Sequence, residues 1–234
     1  MVFHLCLTNE CQCNCFYCSQ HVRSGRGEFL PEEHAVELAK KAFELGYDTI
    51  ELTGGEPLLH PGFDRIIEKM GKDVPDIKMV LCTNGILLEK HISQIRSSGM
   101  KRIKLHLDTV LAQDYKAITG LSAQLNQILN GLWKSVAAEI ETDIIVKLHP
   151  YSAGQLGVLL SLAKKYPVHI QIQDLITEKE TYTERDILLK WRSVIGKTVK
   201  IQEHVYTGEG WKGTFSLKLS EKKEQTVHSI LEAK

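Results

Sequence analysis

Apolar residues recur along this chain in two alternating rhythms, one of short strand-like runs and one of helix-spaced positions. Residues 2–8 form a short apolar stretch bounded by Asn9, suited to a first strand. Behind it, Val36, Leu38, Ala39, Ala42, Phe43 and Leu45 fall at helical spacing, with Pro31 at the first turn and Gly46 as the stop. The pairing then repeats. Strands are predicted over residues 47–53, 77–83, 102–108, 142–148 and 168–175, and helices over 62–70, 88–98 (ended by Gly99) and 154–166 (stopped by Pro167). A longer helix, capped by Ser122, is predicted to run to about Ala138, after a short segment through Tyr115 and Ile118 that carries no element of its own. Six strands alternating with helices predict right-handed parallel βαβ units, and so an α/β sheet or barrel.

Beyond Ile176 the rhythm changes. Thr183 suits the cap of a helix through Val194, residues 197–206 read as a strand, and T-G-E-G-W-K-G (207–213) is a glycine-rich loop. A second short strand (214–219) and a helix from Ser220 complete the pattern. The predicted division is a main α/β domain over 1–183 and a C-terminal α+β extension over 184–234 that closes or covers the sheet's open edge.

Composition narrows the function classes. At 234 residues, 43% hydrophobic and 25% charged, the chain suits one well-buried domain. A formal net charge of zero gives no global basic field of the kind that attracts nucleic acid. No apolar run approaches the roughly 18 residues of a membrane span, and the N-terminus lacks the charged start and apolar core of a secretory signal, so a cytoplasmic protein is expected. Five of the six cysteines precede residue 19, too clustered for a disulfide framework.

That clustering carries the chemistry. Cys11, Cys15 and Cys18 stand in a C-x3-C-x2-C spacing on the loop after the first strand. Three thiolates in one loop can bind three irons of a [4Fe–4S] cube and leave the fourth open, whereas electron-transfer clusters usually take four cysteines. Cys13 leaves another reading open, a zinc site built from Cys11, Cys13, Cys15 and Cys18. At the end of the second strand lies T-G-G-E-P (53–57), whose adjacent glycines permit close approach to the backbone and whose acid can accept from an ammonium. T-N-G (83–85) ends the third strand, where Asn-Gly tolerates left-handed backbone.

The C-x3-C-x2-C motif, with the aromatic Tyr17 before its last cysteine and G-G-E one βα unit later, resembles the radical S-adenosylmethionine (SAM) enzymes. With T-N-G, the L-D of Leu107 and Asp108 and the I-T-G of 118–120, the likeness extends over residues 5–150 and is closest in motif order to the molybdenum-cofactor GTP cyclase group. The resemblance implies a partial (β/α)6 TIM-type barrel, one [4Fe–4S] cluster on Cys11, Cys15 and Cys18, and SAM chelating the open iron. Reductive cleavage of SAM would then yield a 5′-deoxyadenosyl radical that abstracts hydrogen from a substrate. It further implies cofactor contacts at Tyr17, Gly54, Gly55, Glu56, Pro57, Thr83, Asn84, Asp108 and Lys147, and an electron donor such as flavodoxin or ferredoxin. His106 and Lys147 are the candidate catalytic side chains, and a polar face formed by Asp143, Lys147 and His149 on one strand and His169, Gln171 and Gln173 on the next would read the substrate.

The likeness is incomplete. No cysteine follows Cys82, so the cyclase's second cluster is not expected, and L-E-A-K stands at 231–234 in place of the cyclase's paired glycines. GTP is therefore not the expected substrate; a small polar molecule, such as another nucleotide or a modified base, is preferred to a protein. An activase of a glycyl-radical enzyme, or a peptide-modifying enzyme, would share the chemistry. A non-catalytic zinc or iron–sulfur protein would leave G-G-E-P and T-N-G without a role.

Overall fold

The first strand, β1 (Val2–Thr8), buries Leu5 and Leu7 while His4 and Cys6 alternate onto the opposite face. The same alternation follows in β2 (Thr49–Gly54), β3 (Lys78–Thr83) and β4 (Arg102–His106). Ile50, Leu52, Leu81, Ile103 and Leu105 are completely buried, and the intervening positions carry Glu51, Cys82, Lys104 and His106. These four strands pair in parallel in chain order, Leu5 opposite Leu52 and Leu81 opposite Ile103, as right-handed βαβ units require. This is a computed structural model, and it describes residues 1–18, 27–122, 124–174, 198–202, 205–208 and 210–218.

Each crossover helix turns one apolar face inward. Helix α1 (Glu32–Glu44) buries Ala35, Val36, Ala39 and Ala42, and α2 (Phe63–Asp73) buries Phe63, Ile66, Ile67 and Met70. Helix α3 (Leu88–Ser97) packs against a later helix, Leu125–Ala137. Left-handed glycines terminate the first and third helices, with φ of +88° at Gly46 and +83° at Gly99.

Contacts divide the chain into two compact units. One comprises Met1–His106 and Tyr115–Thr142; the other comprises Leu107–Asp114 and Asp143–Lys234. The residue pair 183/184, where the sequence analysis divides the domains, lies outside the described residues. In the second unit the strands β5 (Glu141–Leu148), β6 (Val168–Asp174), β7 (Thr198–Gln202), β8 (Val205–Gly208) and β9 (Thr214–Lys218) lie in the order β5-β6-β9-β8-β7. β9 runs parallel to β6, with Ile170 opposite Phe215, and β8 is antiparallel to both β7 and β9. The C-terminal segment thus continues the sheet beyond the free edge of β6. The helix Pro150–Lys165 packs on β6 and β9.

Three local expectations are corrected. The segment through Tyr115 and Ile118 is a helix, α4 (Ala112–Thr119), because Tyr115, Ile118 and Thr119 share one buried face at helical spacing. The next helix, α5 (Leu125–Ala137), begins after Gln124 rather than at a Ser122 cap, where Leu125 supplies its first buried side chain. The strand predicted over 197–206 is two antiparallel strands, β7 and β8, instead of one. Helix α6 (Pro150–Lys165) starts earlier than its apolar pattern suggests, because His149 and Ser152 form a reciprocal capping box. The helices expected over 183–194 and from 220 lie outside the described residues.

Candidate active site

The three motifs separated in sequence meet at the carboxyl ends of β1, β2 and β3. Gly54 has φ +128°, and a Cβ there would stand 2.2 Å from the Thr8 carbonyl oxygen; a Cβ on Gly55 would stand 2.1 Å from the Glu10 oxygen. Gly55 N–H donates to Thr8 O and Glu56 N–H to Glu10 O, both at 2.7 Å. The paired glycines therefore let the segment leading into the cysteines lie directly on the end of β2.

Glu56 is completely buried and serves both strand ends. Its Oε1 accepts from Leu58 N–H at 3.1 Å and Thr83 Oγ1 at 2.8 Å, and its Oε2 accepts from Asn84 N–H at 2.8 Å. Burial pushes its carboxyl up to about 7, against the opposing pull of the Asn84, Thr83 and Leu58 hydrogen bonds. Where the resemblance implies a contact with SAM's ammonium, this carboxylate accepts three hydrogen bonds from the chain itself. Pro57 opens the 3-10 turn Pro57–Leu59, which Glu56 caps. Asn84 closes its own turn, with Oδ1 accepting from Ile86 N–H at 3.0 Å, and its Nδ2 lies 3.8 Å from Cys11 Sγ. T-N-G is thus tied to G-G-E on one side and to the first motif cysteine on the other.

The cysteine loop has a second anchor. Asn14 N–H donates to Thr119 O at 2.9 Å and Phe16 N–H to Ile118 O at 3.2 Å, so the C-terminal carbonyls of α4 hold the loop. This gives I-T-G a structural role that its sequence position alone does not reveal. Cys11 is buried, Cys15 intermediate and Cys18 exposed, and Cys18 N–H closes a turn on Cys15 O at 3.0 Å. The thiol of buried Cys13 lies between those of Cys11 and Cys15; this contact holds the Cys11 thiol below its ordinary range and pushes that of Cys13 far up. Tyr17, intermediate in exposure, meets Phe16 edge-to-face with centroids 5.2 Å apart.

The donor set fits an iron–sulfur cube. It offers three thiols within eight residues on a loop whose backbone is held at both ends. A single tetrahedral zinc would draw its sulfurs within about 4 Å of one another, and no group of three or more such ligands converges in that way among the described residues.

A neighbouring network belongs to the same unit. Glu51 on β2 accepts from Cys82 Sγ on β3 at 3.0 Å, is paired with Lys104 on β4, and has His4 Nδ1 at 3.5 Å. Burial and the Glu51 carboxylate push the Cys82 thiol up, out of the reactive range. His106, half-buried, follows Lys104 on the same face of β4.

The remaining predicted residues gather in the second unit. Asp108 is buried; its Oδ1 accepts from Lys147 N–H at 2.6 Å and its Oδ2 lies 3.5 Å from His149 Nε2. Lys147 Nζ donates to Gln173 Oε1 at 2.5 Å, and burial lowers its ammonium below the usual range. His169 lies within hydrogen-bond distance of Thr214 Oγ1 (2.6 Å) and Ser216 Oγ (2.8 Å) on β9. His169, Gln171 and Gln173 are intermediate in exposure and alternate with buried Val168, Ile170 and Ile172.

Comparison with known proteins follows from this geometry. Residues 5–163 match the family described as the Radical SAM superfamily. A probable GTP 3′,8-cyclase of Archaeoglobus fulgidus is 36% identical over 139 residues, covering 56% of this chain and 43% of its own. The corresponding protein of Methanococcus vannielii is 33% identical over 210 residues, covering 81% of this chain and 69% of its own. The chain thus spans about half to two thirds of the length of these curated relatives. Streptococcus suis SuiB bound to S-adenosylmethionine superposes with a TM-score of 0.72 at 15% identity, over 93% of this chain and 50% of that one. The sulfatase-maturing enzyme structure anSMEcpe with bound AdoMet gives 0.60 at 18% identity, over 80% and 57%. Both are likenesses of fold, and they match the mostly parallel α/β sheet described above. Among the described residues no helix is long and apolar enough to cross a membrane.

Proposed function

The chain belongs to the radical SAM superfamily, and from that premise we propose that it holds a single [4Fe–4S] cluster on Cys11, Cys15 and Cys18 and acts on a small polar substrate. It is an enzyme, of a family that implies an iron–sulfur cluster and SAM. When bound, that pair supplies reductive cleavage of the SAM C–S bond, and the resulting 5′-deoxyadenosyl radical takes a hydrogen atom from the substrate.

What the chain contributes is placement. The α4 carbonyls fix the loop amides of Asn14 and Phe16, and the glycine pair lets Thr8 and Glu10 rest on β2. Glu56 locks Thr83 and Asn84, and Asn84 reaches Cys11. The single observation that carries the reading is this buried carboxylate. It joins the G-G-E and T-N-G strand ends beside the cysteine loop, an arrangement a plain zinc loop has no use for.

The nature of the substrate follows from two supports. Relatives named GTP 3′,8-cyclase point to a nucleotide or a related base, and Lys147, Gln173 and Asp108 form a hydrogen-bonded polar group suited to such a molecule. Within the proposal Lys147 and Asp108 contact SAM or substrate, His106 is a further candidate at the reacting centre, and a flavodoxin or ferredoxin supplies the electron.

The test is anaerobic. The chain is reconstituted with iron and sulfide, reduced and given SAM, and 5′-deoxyadenosine and methionine are quantified, alone and with GTP, other nucleotides and modified bases. Formation of both products supports the proposal, and a substrate-dependent rise identifies the class. A colourless protein carrying one zinc and forming neither product overturns it.

A further inference from the structure

Cys13 has no part in the proposed ligand set, yet it is 5% exposed and lies within the cluster loop. Its backbone N–H donates to Cys11 Sγ at 3.4 Å, and its thiol is within hydrogen-bonding reach of both Cys11 and Cys15. Below it stands Tyr115 of α4, also 5% exposed. The Tyr115 hydroxyl is sealed from solvent and has no well-formed hydrogen bond, and it faces the thiols of Cys13 and Cys15. A buried hydroxyl without an acceptor is costly, so its position calls for a partner. The helix that carries it is fixed to the loop by the Asn14 and Phe16 hydrogen bonds, which hold the hydroxyl and the sulfurs in register.

We infer that Tyr115 and Cys13 are positioning residues that donate hydrogen bonds from beneath the loop to the ligand sulfurs of Cys11 and Cys15, and so raise the reduction potential of the cluster. The inference rests on the cluster reading given above. Reduction adds negative charge that spreads onto the ligand sulfurs, and donors aimed there stabilise the reduced state over the oxidised one. Cys13 serves in this role only as a protonated thiol: a donor to sulfur, and not a ligand to iron. Two features that the reaction leaves unused, a spare thiol and an orphan hydroxyl, are thereby joined in one device.

The test uses the reconstituted full-length chain as wild type, Tyr115→Phe, Cys13→Ala and Cys13→Ser. Iron and sulfide per chain are measured first, and the midpoint potential is then read by redox titration followed by electron paramagnetic resonance, without SAM. All four forms are expected to retain the cluster. At the wild-type midpoint the reduced-to-oxidised ratio is expected to fall about fivefold in Tyr115→Phe and in Cys13→Ala, the factor of one net hydrogen bond. Cys13→Ser, which keeps a donor, is expected to return most of the way to wild type. Unchanged potentials in Tyr115→Phe and Cys13→Ala, with iron retained, overturn the inference and leave the cluster reading intact. A wild-type chain that assembles no cluster overturns the reading on which both stand. Should Tyr115→Phe fail to fold, the comparison of Cys13→Ala with Cys13→Ser decides.

Discussion

Replacing Glu56 with glutamine should stabilise the cluster-free chain in alkali, although Glu56 is the acid of the most recognisable motif after the cysteines. The carboxyl is completely buried and its pKa is raised from 4.5 to about 7, with burial as the leading cause. The folded-state value lies above the unfolded one, so the native chain binds this proton more tightly. The associated stability is fully present below about pH 4.5 and is lost as the pH rises through about 7. A shift of that size corresponds to about 3 kcal/mol at 1.36 kcal/mol per unit. Glutamine resembles the neutral acid in shape and hydrogen bonding, and it does not titrate. Near pH 4.5 the two forms should agree within about 1 kcal/mol, while at pH 8.5 Glu56→Gln should be the more stable by about 3 kcal/mol. Urea unfolding of both forms under anaerobic, reducing conditions at intervals from pH 4.5 to 8.5 reads this difference directly, because every other titrating group is common to both. A stability difference that stays constant over that range would refute the reasoning.

Other perturbations test separate joints of the structure. Gly54→Ala and Gly55→Ala would drive a Cβ to within 2.2 Å of Thr8 O and 2.1 Å of Glu10 O; both should lower the melting temperature and abolish iron loading. Gly99→Ala, with φ +83° and nothing within 4 Å of the added atom, should cost only about 1 kcal/mol and load iron normally. Lys104→Met leaves the buried Glu51 without its cation and should cost about 2 kcal/mol in urea unfolding, part of which Glu51→Gln should restore in the double variant. Asp108→Ala strips the acceptor from Lys147 N–H and should destabilise by about 1–3 kcal/mol, whereas Asp108→Asn, which keeps an acceptor oxygen, should be milder.

The strands were legible in the sequence because parallel, helix-covered strands read as apolar runs, and the helices because their buried faces repeat at helical spacing. The bounds of β1 coincide with the predicted run, and Gly46 and Gly99 mark their helix ends as expected. Helix α4 was less apparent, since only Tyr115, Ile118 and Thr119 mark its buried face over eight residues. Nothing local in residues 197–206 distinguishes one strand from the β7–β8 pair, because that distinction depends on which residues find partners across the sheet. At the site, residue types and spacing pointed to the cysteines and to G-G-E. They did not show that Glu56 is bonded to Thr83 and Asn84, that α4 carries the loop, or that Tyr115 underlies Cys13. Each of those contacts joins residues distant in sequence and leaves no periodic trace. A polar face on β6 was foreseen from alternation, but the pairing of Lys147 with Gln173 and of Asp108 with the backbone of β5 emerged only from the fold.

The central claim is that three thiols, and not four, hold the metal centre, and the most direct measurement is iron and sulfide content across the four single variants of the loop. Cys11→Ala, Cys15→Ala and Cys18→Ala should each lose the cluster, while Cys13→Ala should keep the wild-type complement. Equal loss in all four, or one zinc per chain in the wild type that each variant removes, would contradict the account.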